Sequence, residues 1–163
     1  QTLWAEDETF CNNDFGTVGV KIESEDESLQ VIEVTPYRSE GTYSDSRRPD
    51  SVVFGVSLEE DLTRRDFTIN AIAYRIADQS VVDMFDGAGD IEKKRLKTVG
   101  EPDKRFSEDA LRMMRAVRLA GQLNFAIESD TMQSIYENKA LLEKIAIERI
   151  ADEFSSLTAI SGG

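Results

Sequence analysis

Residues 108–120 read EDALRMMRAVRLA, and their periodicity decides the fold of the second half of the chain. It predicts one helix over about residues 107–120, begun by a capping signal at Ser107. At 100° per residue, apolar side chains such as Met113 and Val117 fall on one side of that helix and ionic side chains fall on the other. The ionic side carries a row of charges with a spacing of three residues: Asp109, Arg112, Arg115 and Arg118.

This row of charges suggests a chemical task. A carboxylate beside a guanidinium offers acceptors and donors in fixed geometry, as reading the edge of a nucleotide base requires. The further arginines supply permanent positive charge and forked donors that match phosphate oxygens. An ordinary salt-bridged helix face has the same composition, and the row alone does not separate the two interpretations.

A second polar stretch, RRDFTINA at residues 64–71, is expected on a helix that starts with the capping box SLEE (57–60) and runs to about Ala73. Polar groups packed this densely among apolar neighbours need partners, either in the protein or in a ligand. Surface charges around one core phenylalanine explain the stretch equally well.

The first half of the chain is expected to be strands and loops, and the later part helices. Alternating apolar residues predict an antiparallel pair on either side of an acidic turn, and a long exposed loop precedes a third short strand. A further strand pair and two later helices complete the pattern. In order, these elements are 15–22, 29–34, the loop 39–50, 51–56, 74–76 with 81–82, 131–138 and 147–154. The fold class is therefore α+β, with a boundary near residues 95–105.

Composition excludes several kinds of site. The 163 residues include no histidine, which excludes histidine-based triads and zinc sites, and Cys11 is the single cysteine, which excludes an internal disulfide. No apolar run approaches the ~18 residues of a membrane span. Net charge is −13, yet residues 63–120 hold 10 acidic and 12 basic residues. A locally basic region in an acidic protein suits a compact polyanion such as a nucleoside triphosphate, although a solvated arginine-rich helix fits the same counts.

Glu33 lies in the stretch IEVTPYR (32–38), at the end of a predicted strand. One carboxylate is a weak metal signal, because Mg²⁺ sites for phosphoryl transfer usually draw on two or more. An acidic residue on the solvent face of a strand is the commoner explanation.

Taken together, these segments resemble the bacterial-type (class II) tRNA nucleotidyltransferases, the CCA-adding enzymes, and the related poly(A) polymerases. The resemblance runs from about Phe15 to the end of the chain. The matching stretches follow in the family's order: 32–38, 38–51, 59–74, 82–106, 108–120 and 148–154.

The resemblance implies a partial nucleotidyltransferase head over residues 1–100, an antiparallel or mixed sheet with helices, followed by an all-helical neck over 101–163. It implies a cytoplasmic enzyme that adds CCA, or A alone, to tRNA 3′ ends from CTP and ATP. The partners would be these nucleotides and the tRNA 3′ end, with no membrane. Catalysis would be a two-metal displacement with Mg²⁺.

The resemblance also implies roles for individual residues. Glu33 would be the third carboxylate of the metal site. The other six would bind the nucleotide: Arg65 and Asn70 as direct contacts, Asp109 and Arg112 as a template for the base edge, and Arg115 and Arg118 on the triphosphate.

The sequence departs from the family pattern in places. The family's early Gly-Gly motif and its Asp-x-Asp metal pair are not found, and the acidic residues 6–8 stand too close to Gly16 to replace them. The main RNA-binding body is not found either, and Leu119 stands where an aromatic is usual. We therefore expect a truncated chain that transfers nucleotides poorly or not at all by itself, and whose exposed sheet edges favour aggregation or dimerisation. The alternatives are a poly(A) polymerase of the same family and a non-catalytic nucleotide-binding remnant.

Overall fold

The computed structural model describes residues 9–12, 16–26, 30–41 and 51–158. Strands predominate before residue 84 and helices after it, which confirms the α+β class. The strands are β1 Thr9–Asn12, β2 Thr17–Lys21, β3 Val31–Val34, β4 Arg38–Glu40, β5 Val52–Phe54, β6 Ile72–Arg75, β7 Ser80–Asp83, β8 Arg95–Leu96 and β9 Ala126–Ile127. The helices are α1 Leu58–Thr63, α2 Gly87–Glu92, α3 Pro102–Glu108, α4 Leu111–Leu123, α5 Ser129–Asn138 and α6 Ile147–Thr158, with 3₁₀ turns at Thr68–Asn70 and Lys139–Lys144.

The strands form small sheets. β1, β2 and β3 make an antiparallel sheet in sequence order, in which Gly19 pairs with Glu33, so the predicted antiparallel pair is confirmed. β4 and β5 form an antiparallel hairpin, so residues 39 and 40 of the predicted loop 39–50 belong to a strand, and residues 42–50 lie outside the described residues. β6 pairs with β7 as expected. No predicted strand corresponds to the short parallel pair β8–β9, and β9 lies in the part expected to be all-helical.

Helix α1 begins as predicted and ends early. The Ser57 side chain accepts from the backbone N–H of Glu60 at 3.2 Å, and the Glu60 carboxylate accepts from the backbone N–H of Ser57 at 3.0 Å. The prediction that this helix continues to Ala73 is wrong. At Phe67 the backbone is extended and pairs with the segment around Thr98, where the fully buried Phe67 side chain enters the core. Tertiary pairing and burial outweigh the local helical preference here.

The single helix predicted over 107–120 is also wrong. Asp109 has an extended backbone (φ −143°, ψ 106°), and its Oδ1 accepts from the N–H of Leu111 at 3.0 Å. The carboxylate thus satisfies a free donor at the start of α4. Ser107, expected to cap this helix, lies inside α3 and donates to the carbonyl of Lys104.

The core has two clusters of buried side chains. One comprises Phe106, Ala110, Leu111, Met113 and Ile145, all from the helical half. The other joins Phe67, Leu96 and Ala116, which come from both sides of the expected boundary at 100/101. That boundary stays a prediction.

The exposure of side chains on α4 differs from what the helical projection predicts. Val117, expected on the apolar side, is 45% exposed, whereas Arg112 is only 8% exposed. None of the described helices is both long and apolar enough to cross a bilayer.

Candidate functional site

Four carboxylates hold five of the predicted site residues. They stand on α1, just after α1, at the end of α3 and on α6: Asp61, Asp66, Glu108 and Glu153. The ion pairs extend along α1, the turn after it, α3, α4 and α6.

Asp66 connects two of the predicted nucleotide contacts. Its Oδ1 accepts from the backbone N–H of Phe67 at 2.8 Å and from the side-chain amide of Asn70 at 3.1 Å. Its Oδ2 lies 3.1 Å from Nη2 of Arg115, an ion pair without the alignment of a hydrogen bond. Asp66 is 7% exposed, so this carboxylate brings Asn70 and Arg115 together from within the protein.

Arg65 lies against the same turn. One of its Nη atoms donates to Oδ2 of Asp61 at 3.1 Å, and the other donates to the backbone carbonyl of Asn70 at 3.2 Å. Its side chain is 43% exposed, as against 40% for Arg115. Arg65, Asn70 and Arg115 are therefore neighbours, and two partly exposed guanidinium groups offer donors to an anion.

Asp109 and Arg112, the predicted template pair, have separate partners. Arg112 donates through Nη1 to the Glu108 carboxylate at 2.6 Å and to the carbonyl of Arg105 at 3.1 Å. Asp109 uses Oδ2 to accept from Arg149 at 3.4 Å. Both side chains are largely covered, so reading a base would require each to exchange its present partner. Their template role stays a prediction.

Glu153 on α6 holds the other two arginines of the row. Its Oε2 lies 2.5 Å from Nε of Arg118, and its Oε1 lies 3.8 Å from Nε of Arg115. Arg118 also donates to the side-chain oxygen of Gln122 at 2.7 Å. Helix α6 thus holds beside each other the two arginines that the sequence analysis assigns to phosphate.

Glu33 stands apart from this network. It is exposed on β3, and among the residues that the structure describes it forms no ion pair with the arginines. Within those same residues, no group of three histidine, cysteine, aspartate or glutamate side chains gathers that could hold a metal ion. The described carboxylates therefore do not fit a two-metal site.

Burial and hydrogen bonds act in opposite directions on Asp61. Burial raises the pKa of its carboxyl, but hydrogen bonds from Arg64, the Arg38 backbone N–H and Arg65 outweigh burial and hold the pKa below its usual range. Asp61 is therefore an ionised partner for these arginines at neutral pH.

The sequence contained a signal for two of the four carboxylates. Asp61 stands four residues before Arg65, and Glu108 stands four before Arg112, which is the spacing of helical ion pairs. Glu153 stands 35 residues from Arg118, and no local pattern predicts that contact.

Comparison with known families identifies the family of this chain. Residues 4–97 match the family model of the poly A polymerase head domain. The chain belongs to this family. Residues 124–157 match a second model, described as the probable RNA and SrmB-binding site of polymerase A.

Relatives of this head-domain protein are CCA-adding enzymes, so the family is enzymatic. The chain is 57% identical over 125 residues to the CCA-adding enzyme of Pediococcus pentosaceus, which covers 77% of this chain and 31% of that enzyme. It resembles the Bacillus stearothermophilus CCA-adding enzyme in complex with CTP, with a TM-score of 0.77, 43% identity, and coverage of 91% of this chain and 34% of that one.

A third relative is a tRNA nucleotidyltransferase complexed with a primer tRNA and an incoming ATP analog. Its TM-score is 0.68 at 29% identity, covering 90% of this chain and 39% of that one. The chain thus spans a minor part of the length of its relatives.

Proposed function

We propose that this chain is part of a tRNA nucleotidyltransferase that adds CCA, or A alone, to tRNA 3′ ends from CTP and ATP. The observation that carries the proposal is the meeting of Arg65, Asn70 and Arg115 around buried carboxylates, although Arg115 comes from a different sequence motif from the other two. The tRNA 3′ end is the proposed acceptor and the cytoplasm the proposed compartment, as for the family that the chain resembles.

Each part of the network has a proposed task. Arg115 and Arg118 bind the triphosphate through permanent charge and forked donors. Arg65 and Asn70 contact the nucleotide beside it. Cytosine and adenine both present an exocyclic amino donor, which a carboxylate can accept, and a ring acceptor, which a guanidinium can reach. Asp109 and Arg112 would take these two roles after release from their present partners, Arg149 and Glu108.

Mg²⁺ is the proposed metal, and Glu33 is the residue proposed to contribute to its site. When bound, the metal would neutralise charge on the reacting phosphates. Because Glu33 has no neighbouring carboxylate among the described residues that completes a site, we assign nucleotide binding, and not transfer, to these residues.

Nucleotide titration of the purified chain by calorimetry tests the binding role. We expect saturable binding of CTP and ATP, weakened about tenfold in Arg115→Gln, since a hydrogen bond to a charged group contributes roughly 1.5–3 kcal/mol. Arg75→Gln is the matched control, because Arg75 is an exposed arginine on β6 that pairs with Asp78 and is given no role at the nucleotide. No saturable binding of either nucleotide by the unaltered chain would refute the proposal.

A poly(A) polymerase is the second candidate, favoured by the description of the matching head domain. A polymerase of that kind selects ATP, whereas a CCA-adding enzyme takes both nucleotides. Comparable affinity for CTP and ATP would therefore argue against it. Extension of tRNA with labelled CTP or ATP measures transfer, and we expect little or none; robust incorporation would contradict the assignment of binding alone.

A further inference from the structure

Asp61 is a buried carboxylate to which the proposed function gives no task. It lies on α1 and is 3% exposed. Its two oxygens serve different parts of the molecule. Oδ1 accepts from the backbone N–H of Arg38 at 3.2 Å and from Nη2 of Arg64 at 2.7 Å, whereas Oδ2 accepts from Nη2 of Arg65 at 3.1 Å.

The Oδ1 side fastens the β4–β5 hairpin to α1. Arg64 donates through Nε to the carbonyl of Arg38 at 2.9 Å and through Nη1 to the carboxylate of Glu40 at 2.9 Å. Both acceptors lie on β4, which pairs with β5. The backbone carbonyl of Arg64 also accepts from Nη2 of Arg112 at 3.4 Å. One carboxylate oxygen therefore serves a junction between the hairpin, α1 and α4.

The Oδ2 side orients the partly exposed guanidinium of Arg65. The Asp61 side chain is 4% exposed, and that of Arg65 is 43% exposed. The second Nη of Arg65 reaches the carbonyl of Asn70 at 3.2 Å. A long, flexible arginine held at one end by a buried anion loses less rotamer freedom when it meets a ligand, because most of that entropy is already lost.

We propose that Asp61 is a positioning residue, which fixes the Arg65 guanidinium beside Asn70 and ties its orientation to the β4–β5 hairpin. The inference rests on the proposed function, in which Arg65 and Asn70 contact the nucleotide. Asp61 itself touches no reacting atom and acts through Arg65.

Asp61→Asn separates the two sides of this carboxylate. An asparagine has one acceptor oxygen, and the donors of Arg38 and Arg64 compete for it against Arg65 alone. The oxygen therefore stays on the hairpin side, and the amide NH₂ meets the donors of Arg65. The substitution keeps the shape of the side chain and the hairpin contacts while it releases Arg65.

A cycle of four proteins tests the coupling: the unaltered chain, Asp61→Asn, Arg65→Gln and the double variant. We expect Asp61→Asn to weaken CTP binding by up to about tenfold, because the nucleotide then has to immobilise the Arg65 side chain itself. In the Arg65→Gln background, Asp61→Asn should cause no further loss, because its effect passes through Arg65. CTP affinity unchanged in Asp61→Asn, or losses that multiply in the double variant, would overturn the inference. A purely structural role would give such multiplying losses with a lowered melting temperature.

Arginine side-chain NMR on the nucleotide-free protein gives a second readout. In the unaltered chain we expect hindered rotation of the Arg65 guanidinium, lost in Asp61→Asn while that of Arg64 persists. Free rotation of Arg65 in the unaltered chain would overturn the inference even if the variant failed to fold. A chain that binds neither CTP nor ATP, yet loses Arg65 order in Asp61→Asn, would refute the proposed function and support positioning by Asp61.

Discussion

Replacing Asp66 by asparagine tests the junction between the turn after α1 and helix α4. The carboxylate accepts from Phe67 and Asn70 through Oδ1 and faces Arg115 at 3.1 Å through Oδ2. Asparagine keeps one acceptor for the first two donors. Its NH₂ then faces Arg115, and the attraction across the junction is lost.

The magnitude follows from the exposure of the partners. A hydrogen bond to a charged group contributes roughly 1.5–3 kcal/mol, but an exposed ion pair contributes at most about 1 kcal/mol. Asp66 is buried, whereas Arg115 is 40% exposed and its contact is poorly aligned. We therefore expect Asp66→Asn to lower the free energy of unfolding by about 1 kcal/mol, or the melting temperature by roughly 2–4 °C. Asp66→Ala also leaves the buried N–H of Phe67 without its acceptor, and should lower the free energy of unfolding by about 1–3 kcal/mol more.

Urea unfolding followed by circular dichroism measures these differences. Asp152→Asn is the matched control, since Asp152 is an exposed aspartate on α6, and its effect should stay within about 0.5 kcal/mol. If Asp66→Asn is as stable as the unaltered chain, or if Asp66→Ala costs no more than Asp66→Asn, the contacts assigned to this carboxylate do not hold the junction.

Three further outcomes are expected from the packing and the charges. Phe67→Ala should lower the free energy of unfolding by about 3–5 kcal/mol in urea, because Phe67 is fully buried; a loss below that of Asp66→Asn would contradict its place in the core. Gly87→Ala should lower the melting temperature although alanine favours helices, because its Cβ would clash with the Thr68 carbonyl oxygen; a raised melting temperature would exclude that clash. Burial raises the pKa of Asp83, but the N–H donors at the start of α2 outweigh it and leave the pKa lowered. The stabilisation that ionised Asp83 contributes is therefore complete above the unfolded pKa of about 3.9 and is lost as pH falls through the lower folded pKa. The urea midpoint of Asp83→Asn should accordingly vary less with pH below about 4 than the midpoint of the unaltered chain.

Local sequence patterns were sufficient to predict the elements whose signals come from neighbouring residues. The Ser57 capping box, the alternation in β2 and β3 and the later helices α5 and α6 appear where the periodicity predicts them. Each of these signals depends on residues within one turn or one strand. Two ion pairs also have a spacing of four residues, although each extends past the end of a helix: Asp61 with Arg65 after α1, and Glu108 with Arg112 across the break at Asp109.

A long-range contact and a local one interrupt the two predicted helices. Phe67 leaves the helical path because its side chain completes a core with Leu96 and Ala116, which are distant in sequence. Asp109 leaves it where its carboxylate accepts from the N–H of Leu111, two residues later, at the start of α4. A helical projection shows neither event, since it assumes an unbroken helix.

The sequence by itself determined the α+β class, the family, and which charged residues gather in the middle of the chain. Only the tertiary structure decided the pairings between distant carboxylates and arginines: Asp66 faces Arg115, and Glu153 reaches Arg118 across 35 residues. The physical reason is that an ion pair depends on distance in space. Sequence spacing fixes that distance within one helix and leaves it open between helices.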